Sequence, residues 1–220
     1  MKWEKNYIVF CMLLAGVSSS AQSYYYPFTG SITVGSGIST TIDFNEAKNG
    51  NILCYQLGLT SIKKLNRQVS FETGIVFSHR GSSYNYTEKN PGSLITYGYN
   101  INIYSIDIPI AIYRNNNSKI KPESFFYFAF RPSIIPFKPK IFTNYSVSIN
   151  DNYFRDYNLI GSLGYGFKFT SLIITKFTIN SSLLSIIKKD YKEDFVTIVD
   201  YFGPNIYFAE ILISMNYILK

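Results

Sequence analysis

The sequence has almost none of the side chains from which metal sites, disulfides and hydrolytic active sites are built. Its 220 residues include one histidine, His79, and two cysteines, of which Cys11 lies in a leader-like segment and Cys54 beyond it. A single cysteine cannot form an internal disulfide. The HExxH, CxxC, GxSxG and phosphate-loop patterns are all missing. We therefore predict no metal site, no cofactor and no catalytic residue.

Helical patterns are the second absence. Beyond residue 21, apolar side chains nowhere recur with sustained helical spacing. No apolar run approaches the roughly 20 residues that a membrane-spanning helix needs. Intrinsic disorder is also excluded, because the chain is 46% hydrophobic and 18% aromatic and disordered chains are poor in such residues. What remains is a folded chain built from strands.

The first 21 residues have the parts of a secretory signal peptide. Two lysines make a basic start, an apolar run follows over residues 7–17, and small residues precede a cleavage site after Ala21. The apolar run is too short to cross a bilayer. We predict a signal peptide over residues 1–21 and one exported domain over residues 22–220.

The exported part is basic. Residues 22–220 carry 19 basic and 13 acidic side chains, a net charge of +6. In a cytoplasmic chain, this balance and the high tyrosine content would favour nucleic acid as a partner. Export argues against nucleic acid, so we expect lipopolysaccharide and anionic outer-membrane lipids as partners. The sequence does not indicate an oligomeric state.

Apolar and polar residues alternate along the whole exported part, which is typical of half-buried strands. In the second alternating segment, Leu57 and Leu59 share one face while Gln56 and Thr60 share the other. We predict eight strands, at about residues 30–39, 51–61, 68–79, 95–113, 124–135, 157–169, 173–186 and 205–219.

The connections between these strands alternate in length. Long polar ones such as "RGSSYNYTEKNPGS" alternate with short ones such as "IKKLNR" and "TSL". Such strands and connections are typical of bacterial outer-membrane barrels. The predicted fold is all-β, a closed up-and-down antiparallel transmembrane β-barrel of eight strands, with short periplasmic turns and longer extracellular loops. The strand-like stretch "DFVTIVDY", residues 194–201, leaves ten strands as an alternative.

The fourth segment, "NINIYSIDIPIAIYR", changes its pattern midway. Ile101 and Ile103 hold odd positions, whereas from Ile106 onward the isoleucines hold even ones. We predict a β-bulge at residues 103–105; alternatively, the upper part projects beyond the membrane, where either face can be apolar. Pro109 lacks a backbone donor, so we place it near the periplasmic end of the strand.

Charged residues of the predicted strands fall on the face opposite the aliphatic one. An ionised side chain that faces lipid near the midplane costs a few kcal/mol, so these charges are expected inside the barrel. An eight-strand barrel is filled by its own side chains, and we predict a structural charge network that plugs the lumen. Its members are Glu72, Asp107, Arg131, Lys168, Lys176 and Glu210.

Strand directions predict one contact within this network. Asp107 precedes a short turn and Arg131 follows it, so the two residues lie at similar heights on adjacent strands. We predict an ion pair between them, with Glu72 close enough to join it.

Four stretches carry a family resemblance. They are "YSIDIPIAIYR" (Tyr104–Arg114), "SFFYFAFRPS" (Ser124–Ser133), "DYNLIGSLGYGFKF" (Asp156–Phe169) and "AEILISMNYILK" at the end of the chain. Together they resemble the small porin-like outer-membrane β-barrel family, the PorT-like group. The resemblance implies an outer-membrane location and a barrel, with no shared activity or binding residues.

The sequence favours an integral protein of the bacterial outer membrane with a structural, adhesive or accessory role, including an accessory of a secretion or gliding machine. Its outer loops, residues 136–156 and 188–204, are the expected site of any protein partner. An eight-strand barrel with a charged lumen predicts little or no conductance.

Two other function classes stay open. A small outer-membrane enzyme acting on lipid or peptide would need a base, and His79 is the one imidazole present. Its alternation phase places it on the outward face, which favours a surface residue, and we expect no enzyme. A soluble, lipocalin-like periplasmic carrier would need apolar residues inside the barrel and polar residues outside.

Overall fold

The computed structural model describes residues 28–42, 48–90, 93–116, 123–137, 140–143, 154–186 and 207–219. The predicted signal peptide, the stretch 194–201 and most of the two long loops lie outside these ranges. The strands are β1 (Thr29–Ile42), β2 (Lys48–Gly50), β3 (Ile52–Lys64), β4 (Val69–Asn90), β5 (Ser93–Asp107), β6 (Ile110–Asn115), β7 (Glu123–Ile134), β8 (Lys140–Thr143), β9 (Tyr157–Lys168), β10 (Ile173–Ser182) and β11 (Tyr207–Ile218). None of the described segments forms a helix that is long and apolar enough to cross a membrane.

The strands form a closed antiparallel barrel. Successive long strands pair with one another, and β1 pairs with β11 from Ser31↔Ile218 to Ile42↔Tyr207, which closes the ring. β5 and β6 together form one of the eight barrel strands, because both pair with β4 on one side and with β7 on the other. We call each of these eight positions in the ring a staff. The short strands β2 and β8 add to β4 and β5. The predicted eight-strand, all-antiparallel barrel is therefore confirmed.

Short turns join the strands at one end, which we call the turn end; the opposite end is the loop end. Between β3 and β4, the side-chain oxygen of Asn66 accepts hydrogen bonds from the backbone N–H groups of Gln68 and Val69, both at 2.8 Å. Between β9 and β10, Thr170 accepts from Leu172 and Ile173 in the same way, both at 3.1 Å. Asn and Thr are suited to such tight connections because their side chains satisfy backbone donors locally.

The outer surface of the barrel is apolar over the middle of every staff. Side chains at alternate positions point outward and are 36–69% exposed. Representative members are Val34, Leu57, Ile75, Ile112, Phe128, Leu163, Ile179 and Ile213. We call this ring the apolar belt.

The bulge predicted at residues 103–105 is wrong. β5 pairs with β4 in one unbroken register from Asn90↔Ser93 to Val76↔Asp107, and β6 continues that register. Ile101 and Ile103 point inward and are each 1% exposed, on the same side as Asp107. The strand keeps its orientation, and the chemical pattern changes because the lumen itself changes from apolar near the loop end to charged below it.

The ladder breaks lower down, where two prolines meet. Ile108 donates a backbone hydrogen bond of 2.9 Å to the carbonyl of Pro132, but Pro132 has no N–H to return one. Pro109 follows directly and removes the next donor of the same staff. The strand nevertheless resumes as β6 for six residues. The sequence predicted Pro109 near the periplasmic end of the strand. In the structure, it lies within the staff instead.

Candidate functional site

The lumen holds the polar side chains that the strands turn inward. Among the described residues, its buried charges are three basic and three acidic: Arg80, Arg131, Lys176, Glu72, Asp107 and Glu210. Ionised groups are costly to bury unless they are paired and hydrogen-bonded. Their equal numbers leave the interior without net charge, and the contacts divide them into two separate clusters.

Asp107 is the centre of the upper cluster and is fully buried. Its Oδ2 lies 2.6 Å from the guanidinium of Arg80 and 2.9 Å from that of Arg131. Serine hydroxyls complete its shell by donating at 2.6–2.8 Å, from Ser78, Ser105 and Ser133. A carboxylate that accepts five donors is held as the anion at one position, because every lone-pair direction is used.

Arg80 extends this cluster to a second acid. Its Nε lies 2.8 Å from Glu210 on β11, and Glu210 also accepts from the side-chain amide of Asn180 at 3.1 Å. On the other side, Arg131 donates to the side-chain oxygen of Gln56 at 3.0 Å. Two arginines and two acids thus alternate across the barrel and cancel in charge.

Glu72 is the centre of the lower cluster. Lys176 donates to its two oxygens at 3.1 and 3.3 Å, and Asn216 donates to Oε1 at 3.0 Å. The hydroxyl of Tyr113 also hydrogen-bonds to Glu72. Lys176 lies 5.0 Å from the ring centre of Tyr127 as well, so its charge is partnered on two sides.

The structure places five of the six predicted network residues inside the barrel and brings Asp107 to Arg131 as expected from strand height. Glu72 does not join that pair, because it is engaged by Lys176 and Tyr113 in the lower cluster. Lys168 points to the inner side, but it lies at the mouth of the turn end. Its side chain is 41% exposed and sits 3.8 Å from Glu123, so its assignment to the buried network is wrong.

Arg80 is the charged network member that the sequence reasoning missed, and Tyr113 and Asn216 are among the uncharged ones. Arg80 continues the inward phase of Glu72 and Ser78, but the predicted third strand stopped at residue 79, whereas β4 runs to Asn90. Longer strand bounds would have revealed it. Tyr113 and Asn216 are uncharged, so the positions of charged residues in the sequence do not identify them.

Buried apolar side chains lie toward the loop end, and we call this group the lid. Ile101, Ile103, Phe208 and Ile186 are each 1% exposed, and Phe154 is 5% exposed. The backbone supports this lid, because Arg155 donates to the carbonyl of Ile186 at 2.8 Å. Below the lid, the free space beside the charge clusters is a cavity of only about 20 Å³.

Near the turn end, the described side chains leave a cavity of about 340 Å³ in the lumen. The cavity lies between the turn end and a layer of packed rings. Tyr113 contacts Phe125 edge-on at 4.9 Å and Tyr127 at 5.3 Å between ring centres. Phe125 occupies the space that a side chain at Gly166 would need. We call this cavity the cup.

His79 lies on the outward-facing side of β4, as its phase predicted, but neighbouring rings leave it only 9% exposed. Its ring stacks on Tyr55 at 4.7 Å and lies 4.9 Å from Tyr104, and its Nε2 is 3.0 Å from the side-chain oxygen of Asn102. Ser78 points the other way and donates to Asp107 inside the barrel. This arrangement does not form a nucleophile–base pair at His79.

Across the part of the chain that the structure describes, no three His, Cys, Asp or Glu side chains converge as metal ligands would. Cys54 is buried and is a free thiol.

No protein-family model and no curated protein matches the chain. Among solved structures, it is similar to neisserial surface protein A, with 10% identity over 86% of this chain and 96% of that chain and a TM-score of 0.48. It is also similar to Ail, the attachment invasion locus protein of Yersinia pestis, with 9% identity, coverage of 87% and 99%, and a TM-score of 0.38. The chain is also similar to the outer membrane protein OprG of Pseudomonas aeruginosa, with 12% identity over 86% of this chain and 96% of that chain and a TM-score of 0.38.

Proposed function

We propose that the chain is an integral β-barrel protein of the bacterial outer membrane. The apolar belt carries the proposal. Isolated apolar side chains are common on soluble proteins, but contiguous apolar surface beyond a few hundred Å² is rare on them. Here the belt runs around the whole ring, from Val34 on β1 to Ile213 on β11, as the hydrocarbon of a bilayer requires.

The inside of the barrel supports the same proposal. A soluble carrier of the lipocalin type would be apolar within and polar outside. This barrel has the reverse arrangement, with Asp107 and Glu72 buried and Leu57 and Leu163 exposed. Its charged lumen and apolar lid leave no space for a large ligand beside the charges.

The role that we propose is structural, adhesive or accessory, exercised through the outer loops. Residues 136–156 and 188–204 are rich in Tyr and Phe and carry lysines, which suits contact with lipopolysaccharide or with a protein partner. Membership of the PorT-like group, and with it an accessory role in secretion or gliding, rests on the sequence resemblance. The proposal includes no catalytic role, because His79 is stacked between tyrosines on the outer surface.

Membrane fractionation with a heat-shift gel tests the location. We expect the full chain in the outer-membrane fraction, resistant to carbonate and salt, with faster gel migration before boiling than after it. Extraction by carbonate alone would contradict the proposal, since only a peripheral or soluble protein leaves the membrane under that treatment.

Planar-bilayer recording tests the plugged lumen separately. The lid and the two charge clusters predict little or no conductance from the purified barrel. Large, stable channels would show that the lumen opens, and they would remove the plugged-barrel part of the proposal while leaving the membrane location intact.

A further inference from the structure

The cup is walled by two kinds of side chain. Its deep part is apolar, with Phe125 at the floor and Ile62, Ile174 and Ile218 around it. Its mouth is charged by Lys64, Lys168 and Glu123. Ligand sites combine an apolar body with a few polar groups in just such a concave space, and about 300 Å³ is enough for a small molecule.

Positive charge is concentrated around this mouth. Among the described residues outside the lumen, the turn end has one acidic residue, Glu123, and five basic ones, which are Lys63, Lys64, Arg67, Arg114 and Lys168. The described part of the loop end has four basic and two acidic residues. The larger net positive charge therefore lies at the turn end, where it attracts anions towards the cup.

The described residues leave the cup accessible from one side. The charge clusters fill the middle of the lumen, where about 20 Å³ of free space remains, and so separate the cup from the loop end. A molecule in the cup therefore enters and leaves at the turn end. With the short turns on the periplasmic side, as the sequence predicts, this end faces the periplasm.

We propose that the cup binds a small organic anion with an apolar body, such as an aromatic carboxylate. The apolar body packs on Phe125 and Ile174, and the carboxylate lies at the mouth beside Lys64 and Lys168. Glu123 opposes binding because its carboxylate competes for Lys168, which it meets at 3.8 Å. This site goes beyond the proposed role of the outer loops and does not depend on it.

The test uses the purified full barrel in nanodiscs of zwitterionic lipid, with its isoleucine methyl groups labelled for NMR. Indole-3-acetate is the probe, and indole-3-acetamide is its neutral isostere. We expect saturable shifts of the methyl signals of Ile62, Ile174 and Ile218 with the acid, and binding about tenfold weaker with the amide, the factor that corresponds to one charge-assisted contact.

Three substitutions are expected to change the affinity for the probe, two in one direction and one in the other, and a fourth is the control. Lys64→Gln and Lys168→Gln should each weaken binding of indole-3-acetate about fivefold to tenfold, the loss expected for one charged contact. Glu123→Gln should strengthen it. Lys63→Gln is the matched control, since Lys63 neighbours Lys64 but points outward over the ring of Phe28; it should change the affinity by less than about twofold, an effect of long-range charge only.

Three results would overturn the proposal. One is the absence of saturable shifts at the cup methyls up to about 10 mM probe, a concentration that detects even weak binding. Another is an equal shift of belt methyls such as that of Ile211, which indicates partition into the bilayer. The third is equal binding of acid and amide, which removes the anion preference. None of them bears on whether the barrel lies in the outer membrane.

Discussion

Asp107 on β5 and Arg80 on β4 lie 2.6 Å apart inside the barrel, and each side chain is at most 2% exposed. Arg131 approaches the same carboxylate oxygen from the other side. One buried acid therefore holds two buried arginines that would otherwise repel each other. Stability of the upper lumen is expected to depend on this single carboxylate.

Asp107→Asn should lower the free energy of unfolding by about 3–5 kcal/mol, because it leaves one more buried positive charge than negative. Urea unfolding of the barrel in detergent micelles measures the change. The matched control is Glu123→Gln, which removes a carboxylate that is 56% exposed and should change stability by less than about 1 kcal/mol. Equal effects of the two substitutions would show that the buried carboxylate stabilises the fold no more than the exposed one does.

Tyr113→Phe should destabilise the barrel by about 1.5–3 kcal/mol, the usual range for a hydrogen bond to a charged group. The substitution removes the hydroxyl that contacts Glu72 while keeping the ring that packs on Phe125. Tyr217→Phe is the control, since Tyr217 points outward and is 47% exposed. Thermal unfolding, followed by the boiling-dependent gel shift, compares the two variants. A Tyr113→Phe variant as stable as the parent would show that the hydroxyl does not stabilise the barrel.

Leu163→Arg should cost about 2–4 kcal/mol in a bilayer, because a cation then faces hydrocarbon near mid-depth. Leu163 is 62% exposed in the middle of β9, whereas Leu65, 51% exposed, lies in the turn between β3 and β4. Leu65→Arg is therefore the matched control, with little expected effect. Folding yields into lipid vesicles measure both. A soluble barrel would tolerate the two substitutions equally.

Gly37→Ala should destabilise the barrel by about 1–3 kcal/mol, as overpacking of a filled interior does. A Cβ at Gly37 would overlap the carbonyl of Ile211 and lie 2.8 Å from Cα of Leu212, and backbone cannot move aside as a side chain can. Gly161→Ala serves as the control, because its Cβ would lie 3.5 Å from Leu183 in ordinary contact. Melting temperatures in micelles should separate the two variants.

The strands were predictable from sequence because alternation has the same period as the strand itself. Leu57 outward and Gln56 inward follow from that period, and so does the closed ring, since exported strands with an apolar outer face need closure. The boundaries were harder. β4 extends to Asn90, and the polar residues beyond His79 gave no sign that pairing continued.

The interior was only partly predictable, because one strand's pattern does not reveal what the lumen contains at each height. Ile101 and Ile103 suggested a change of face, yet they point inward and are buried, as Phe208 and Phe154 from distant parts of the chain also are. Lys168 was correctly predicted to point to the inner side, but it lies at the mouth of the turn end and not at the level of the buried charges. Partners such as Glu72 and Lys176 lie 104 residues apart in sequence, so alternation on its own could not pair them.

Asn216 on the last strand has a consequence for how the chain matures. Its amide contacts Thr33 on the first strand at 2.8 Å, Thr60 at 3.2 Å and Glu72 at 3.0 Å. Contacts between such distant parts of a chain form late, after the intervening loop has closed. Through these contacts, β11 holds β1, β3 and β4 together, although all three precede it in the chain. Removing the 12 residues of β11 should therefore abolish native assembly outright instead of leaving seven-eighths of a barrel.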